Sequence, residues 1–140
     1  MKKILITDDS ALMRRVLCDI INADSRFSVE DLASNGLEAL NLLRTKSYDG
    51  MVLDVNMPQM DGIELLKAIK SEKIPIRVMM ASTLTEEGAQ ITMDALELGA
   101  IDFVHKPDWS FKCKEDGFKN ELLDTLEAVC NSKLGVSDGL

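Results

Sequence analysis

Aromatic residues, histidine and long apolar runs are all scarce in this sequence of 140 residues. With only four Phe, one Tyr and one Trp, a hydrophobic core has to rest mainly on Leu, Ile, Val, Met and Ala. No apolar run approaches the ~20 residues that a membrane helix needs, so we expect no membrane partner. The apolar run that follows Met1 ends at Thr7 and meets two aspartates, so we expect no signal peptide.

Cysteine is also rare, and its copies are far apart along the chain. Cys18, Cys113 and Cys130 are odd in number and include no close pair. We therefore expect reduced thiols and a cytoplasmic protein, because disulfides persist in oxidising compartments. With a single histidine in the sequence, a zinc site is not expected either.

Basic residues are outnumbered by acidic ones, 16 against 24, which gives a formal net charge of −8. Nucleic acid binding needs a basic surface, so we expect no nucleic acid partner. The 46% of hydrophobic and 29% of charged residues are typical of a globular chain, and the length suffices for one domain with a buried core.

Short apolar runs alternate with segments of helical periodicity along the chain. Strands are predicted at residues 3–7, 27–33, 51–53, 76–81 and 101–105. Each predicted strand is followed by a stripe of apolar residues at helical spacing, which predicts five helices. In chain order the stripes are Leu12, Val16, Leu17, Ile20 and Ile21; Leu37, Leu40 and Leu43; Ile63, Leu66 and Ile69; Ile91, Ala95 and Leu98; and Phe118, Leu122, Leu126 and Val129. This alternation predicts one α/β domain with a parallel sheet over residues 1–133, followed by a tail or the start of a linker at 134–140.

Polar side chains end four of the five predicted strands. The carboxyl ends of strands in an open parallel sheet share one edge, and ligands bind beyond that edge. We therefore expect the following residues to meet there: Asp8 and Asp9 after the first strand, Asp54 after the third, Ser82 and Thr83 after the fourth, and Lys106 after the fifth.

Three converging carboxylates would repel one another unless positive charge compensates them. Carboxylate oxygens suit Mg²⁺, whose two charges together with that of Lys106 balance three negative ones. This set predicts in-line transfer of a phosphoryl group to a carboxylate, with the metal and the lysine neutralising the phosphoryl oxygens. A hydroxyl would then donate a hydrogen bond to the phosphoryl group; the strand register decides between Ser82 and Thr83, and we favour Ser82.

Simpler interpretations exist for several of these residues taken singly. Asp54 can be an ordinary polar strand end, and Asp8 and Asp9 can form a solvated turn. Either Asp9 or Ser10 can cap the first helix, and Asp61 is interpreted as a helix cap rather than as a ligand. The functional interpretation depends on the convergence of the whole set.

The same residues make the sequence resemble the response-regulator receiver family. The motifs that carry the resemblance are Asp8-Asp9-Ser10, Leu53-Asp54-Val55-Asn56-Met57-Pro58, Met60-Asp61-Gly62, Ser82-Thr83 and Lys106-Pro107. The resemblance covers about residues 2–132. It implies a flavodoxin-like (CheY-like) fold, with a doubly wound sheet of five parallel strands in the order 2-1-3-4-5 and five helices.

The resemblance also implies roles for the site residues. Asp54 would be the phosphoacceptor, Lys106 would contact the phosphoryl group, and Ser82 would be the switch hydroxyl. Phe103 stands where the family places an aromatic side chain that swings between outward and inward positions; its simpler interpretation is an ordinary core aromatic. The Lys106–Pro107 peptide bond is expected to be cis. The Mg²⁺ ligands would be Asp8, Asp9, Asp54 and the backbone carbonyl of Asn56.

Three segments, at residues 9–14, 82–85 and 95–104, look like the regulatory domain of chemotaxis protein-glutamate methylesterases. The implied partners are a histidine kinase of the chemotaxis type and a C-terminal output domain. No serine-centred glycine motif is present, and the one histidine, His105, falls inside a predicted strand, so we do not expect this chain to be an esterase. A stand-alone receiver is the alternative within the same family.

Two rivals come from other classes. Phosphatases of the haloacid dehalogenase type carry their nucleophile on the first strand and a second aspartate two residues later. Here the candidate Asp54 lies on the third strand, and Asn56 takes the second position. A flavodoxin needs a phosphate-binding loop after the first strand, where this chain has an acidic pair.

Overall fold

The computed structural model describes residues 1–54, 61–82, 86–106 and 116–132, and it forms five strands and five helices in these ranges. The strands are β1 (Lys2–Thr7), β2 (Phe27–Ala33), β3 (Gly50–Asp54), β4 (Val78–Ser82) and β5 (Asp102–His105). The helices are α1 (Ala11–Asn22), α2 (Gly36–Thr45), α3 (Gly62–Glu72), α4 (Glu86–Glu97) and α5 (Asp116–Cys130). None of the helices in these ranges has the length and apolarity needed to cross a membrane.

All five strands pair in parallel in the order β2-β1-β3-β4-β5, which confirms the predicted flavodoxin-like topology. The strand order reverses between β1 and β3, because the chain adds β2 on one side of β1 and then β3 to β5 on the other. The carboxyl ends of β1 and β3 lie side by side at this point, with Thr7 opposite Leu53. Ligand sites of open parallel sheets form at such a reversal.

The sheet separates two hydrophobic cores. One face packs against α1 and α5, and its strands contribute Ile4, Ile6, Val52, Met79, Ala81 and Val104. The other face packs against α2, α3 and α4, and its strands contribute Leu5, Met51, Leu53, Val78 and Met80. Because successive strand residues point to opposite faces, strands buried on both sides are apolar on both, as in residues 4–6 of β1, 51–53 of β3 and 78–81 of β4.

Polar side chains cap α1, α2 and α3 at their first turn, and the three capping residues are Ser10, Asn35 and Asp61. The Ser10 hydroxyl accepts a hydrogen bond from the Met13 amide, so Ser10 rather than Asp9 caps α1. Asp61 accepts from the Glu64 amide, and Glu64 accepts in return from the Asp61 amide, which forms a capping box. The prediction that Asp61 caps a helix is therefore confirmed.

Some local predictions were wrong. The fourth strand begins at Val78 instead of residue 76, because Ile76 is buried in a turn in which its amide donates to the Ile74 carbonyl. Leu12 and Leu37 were assigned to the apolar stripes of α1 and α2, yet they are 60% and 46% exposed. Both leucines lie in the first turn of their helix.

Candidate functional site

Backbone hydrogen bonds hold the ends of three strands at the carboxyl edge of the sheet. The Asp8 amide donates to the Ala33 carbonyl at the end of β2, over 3.1 Å. Asp54 is the last residue of β3 and pairs with Ala81 of β4. The Lys106 amide donates to the Ser82 carbonyl over 2.7 Å, which fixes the residue that follows β5. The sheet itself therefore brings Asp8, Asp54 and Lys106 together.

The carboxylates of Asp8, Asp9 and Asp54 form one cluster. One oxygen from each lies within 4.8 Å of the others. Asp8 and Asp54 are 1% and 6% exposed, whereas Asp9 is exposed to solvent. Hard oxygen ligands at this spacing, open on one side, fit a divalent cation such as Mg²⁺ that retains some of its water. The fourth predicted ligand, Asn56, lies outside the described residues.

Lys106 bridges two of these carboxylates. Its ammonium group donates to Asp54 Oδ1 over 2.8 Å and to Asp8 Oδ2 over 3.2 Å. Burial alone would lower the pKa of Lys106, but the charges of Asp54 and Asp8 outweigh it and raise that pKa above its ordinary value. The lysine is therefore a fixed positive charge at the carboxyl edge.

Asp54 is the group whose ionisation is most affected by the site. Burial raises its pKa to about 6, and the neighbouring charges of Asp8 and Asp9 add to this rise, while Lys106 opposes it. Its ionised form is thus less stabilised here than in water. Added positive charge at the cluster would favour the ionised, nucleophilic carboxylate.

Ser82 is fully buried as the last residue of β4, and its hydroxyl has no hydrogen-bond partner among the described residues. Buried hydroxyls are rarely left unpaired, so this one is available for a group that arrives at the cluster. The competing candidate, Thr83, lies outside the described residues.

Phe103 is half-buried on β5, opposite Met80 of β4. Its ring meets that of His105 edge to face, with 5.3 Å between the centroids and 74° between the planes. His105 Nδ1 is buried and, like the Ser82 hydroxyl, lacks a partner among the described residues. The predicted cis bond to Pro107 lies outside the described residues.

Sequence reasoning missed Arg14, whose guanidinium Nη1 donates to the backbone carbonyl of Asp8 over 2.7 Å. The signal that was available is its position in the first turns of α1, where the helix dipole disfavours cations.

Comparison with known proteins adds a family to this geometry. Residues 4–110 match the family described as the response regulator receiver domain. A protein-glutamate methylesterase/protein-glutamine glutaminase of Rhodospirillum rubrum is 45% identical over 140 residues. A protein of the same name from Pyrococcus abyssi is 44% identical over 125 residues. These matches cover 100% and 89% of this chain but span only 37% and 34% of the two relatives.

Solved structures agree with this match. The response regulator domain of Thermotoga maritima CheB superposes with a TM-score of 0.83 at 42% identity, over 95% of this chain and 98% of that one. The chemotaxis protein CheY4 of Vibrio cholerae superposes with a TM-score of 0.72 at 28% identity, over 92% and 98% of the two chains.

Proposed function

The chain belongs to the response regulator receiver family, and from this premise we propose that Asp54 accepts a phosphoryl group from a histidine kinase and that the domain then switches an output surface. The observation that carries the proposal is the position of Asp54. It is a buried carboxylate at the reversal of strand order, in contact with a lysine and close to two further carboxylates.

The proposed transfer is a direct displacement at phosphorus. A carboxylate oxygen of Asp54 forms a bond to phosphorus while the bond from phosphorus to the donor nitrogen breaks, and the donor imidazole leaves with that electron pair. Lys106 neutralises negative charge on the phosphoryl oxygens, because its ammonium already lies 2.8 Å from the Asp54 carboxylate. The hydrogen bond from the Lys106 amide to the Ser82 carbonyl keeps the lysine in place during this step.

Asp8, Asp9 and Asp54 would hold Mg²⁺, together with the backbone carbonyl of Asn56 that the family pattern adds. When bound, Mg²⁺ supplies positive charge that offsets the charge of the carboxylates and of the incoming phosphoryl group. Asp8 is fixed for this purpose by two hydrogen bonds to its carboxylate, from the Ser10 amide and from Lys106. Exposed Asp9 leaves the cluster accessible from solvent.

Ser82 and Phe103 form the proposed switch. The Ser82 hydroxyl, which has no hydrogen-bond partner among the described residues, would donate a hydrogen bond to a phosphoryl oxygen on Asp54, which would satisfy both groups. Phe103, half-buried on the neighbouring strand, would change position in response and so alter the face formed by α4, β5 and α5. Phosphorylation of Asp54 would in this way change the surface that a partner or output domain contacts.

The names of the relatives support a place in chemotaxis signalling. We propose that the chain is the receiver domain of a protein-glutamate methylesterase over residues 1–133, with a linker from 134, and that a chemotaxis-type kinase phosphorylates it in the cytoplasm. The match spans 37% of the length of the Rhodospirillum rubrum relative, which is consistent with a regulatory domain beside a larger output domain. A stand-alone receiver of the same branch is the alternative.

The test is the intact mass of the protein after incubation with acetyl phosphate and Mg²⁺. The wild type should gain one phosphoryl group, and the gain should disappear on chelation of Mg²⁺ and in Asp54→Asn. Asp102→Asn, which alters an exposed carboxylate at the other end of β5, is the matched control and should be phosphorylated like the wild type. A gain that persists in Asp54→Asn would refute the assignment.

A receiver domain and a phosphatase of the haloacid dehalogenase type differ in turnover. The proposal predicts no steady hydrolysis of a phosphate ester by this chain and no hydrolysis of a glutamate methyl ester. Multiple turnovers that Asp54→Asn abolishes would favour the phosphatase instead. Position favours the receiver, since Asp54 lies at the end of the third strand.

A further inference from the structure

Asp8 is held by hydrogen bonds at three of its oxygen atoms. Its carboxylate accepts from the Ser10 amide at Oδ1, over 2.9 Å, and from Lys106 at Oδ2, over 3.2 Å. Its backbone carbonyl accepts from Arg14 Nη1 over 2.7 Å. The first two bonds orient the side chain, whereas the third holds the peptide unit that joins Asp8 to Asp9. The conformation of the acidic pair therefore depends on Arg14.

The position of Arg14 within its own helix is unfavourable for a cation, although its charge also interacts favourably with that of Glu38 on α2. Arg14 is the fourth residue of α1, close to the end where the helix dipole favours negative charge. Side chains of a helix point toward its N-terminus, so the half-buried Arg14 reaches back over the loop between β1 and α1. Its neighbour Arg15 has a side chain that is 79% exposed and is paired with Asp19 at 3.5 Å.

We infer that Arg14 is a positioning residue, which holds Asp8 and Asp9 in the conformation that brings their carboxylates to Asp54. This inference rests on the proposed function, because the conformation of the three carboxylates matters only if they bind a cation. The charge of Arg14 would have the opposite effect on its own, since a guanidinium near a cation site repels the cation. The sign of the change in Mg²⁺ affinity on removing Arg14 therefore separates positioning from simple electrostatics.

The experiment measures the Mg²⁺ dissociation constant by calorimetry for the wild type, Arg14→Met, Arg14→Lys and Arg15→Met. Arg14→Met should bind Mg²⁺ about tenfold more weakly, the change expected when one hydrogen bond from a charged donor is lost. Arg14→Lys keeps a charged donor and should fall between Arg14→Met and the wild type. Arg15→Met removes an equal charge one residue away and should stay within about twofold of the wild type.

A second readout needs no metal. Without Mg²⁺, the Ser10 amide, which donates to Asp8, should exchange its hydrogen faster in Arg14→Met than in Arg15→Met. If Arg14→Met does not fold, the comparison of Arg14→Lys with Arg15→Lys in both measurements replaces it.

Equal or tighter Mg²⁺ binding by Arg14→Met would overturn the inference. If the wild type binds Mg²⁺ and gains a phosphoryl group while the Arg14 and Arg15 variants behave alike, this inference fails and the proposed function stands. If the wild type binds no Mg²⁺ and gains no phosphoryl group, both fail together.

Discussion

At the scale of single residues, Asp54 combines two opposed properties: it is buried, and the proposed chemistry requires it to be ionised. The residue is 6% exposed, and burial together with two acidic neighbours raises its pKa to about 6. At neutral pH the folded protein therefore holds an ionised carboxylate that would be better solvated in the unfolded chain. Lys106 offsets part of this cost, and a nucleophile has to be ionised to react.

Replacing Asp54 by asparagine should stabilise the metal-free protein at neutral pH. Because the folded pKa of about 6 exceeds the ordinary value of 3.8, Asp54 contributes stability below the lower value and loses it as the pH rises through the higher one. Chemical denaturation near neutral pH should show a free energy of unfolding higher by up to about 3 kcal/mol in Asp54→Asn, and the difference should vanish below pH ~3. A variant less stable than the wild type at neutral pH would contradict this.

Residue types at strand ends were enough to predict most of the site. Asp8, Asp54 and Lys106 could be assigned to one edge because parallel topology fixes where strand ends meet. Arg14 could not, because its acceptor is a backbone carbonyl, and only the folded path of the loop brings that atom within reach. No periodicity reports such a contact.

At the scale of helices and strands, burial patterns predicted which elements form better than where they end. The predicted second strand matches β2. The fourth strand was predicted to begin at Ile76, but Ile76 is buried in a turn that precedes the pairing of β4 with its neighbours. Burial and strand pairing are separate properties, and the sequence reports only the first. Leu12 shows a different limit, because helical spacing assigned it to the buried stripe, yet α1 turns Met13 inward and leaves Leu12 exposed.

The capping box of α3 gives a test at this scale. Asp61→Ala removes the acceptor for the Glu64 amide and should lower the free energy of unfolding by about 1 kcal/mol, measured by denaturation. Asp61→Asn keeps a side-chain oxygen and should lie close to the wild type. Both variants should retain their gain of a phosphoryl group, and a loss of Mg²⁺ binding in Asp61→Ala would show instead that Asp61 is a ligand.

At the scale of the whole molecule, the acidic cluster connects elements that are distant in sequence. Asp8 follows β1, Asp54 ends β3 and Lys106 follows β5, so the cluster exists only while the sheet is assembled. A cation bound there is released when the protein unfolds. Binding at the site and global stability are therefore linked.

Mg²⁺ should raise the free energy of unfolding by about 2.7 kcal/mol at a concentration of 100 times its dissociation constant. Asp9→Asn should remove most of this gain while changing the metal-free stability little, because Asp9 is the exposed member of the cluster. Glu97→Gln removes an exposed charge at the end of α4, at the opposite edge of the sheet, and should keep the full gain. The measurement is denaturant unfolding with and without Mg²⁺ at matched ionic strength. Equal stabilisation of Asp9→Asn and the wild type would place the cation elsewhere, and the charge balance proposed for phosphoryl transfer would then lose its basis.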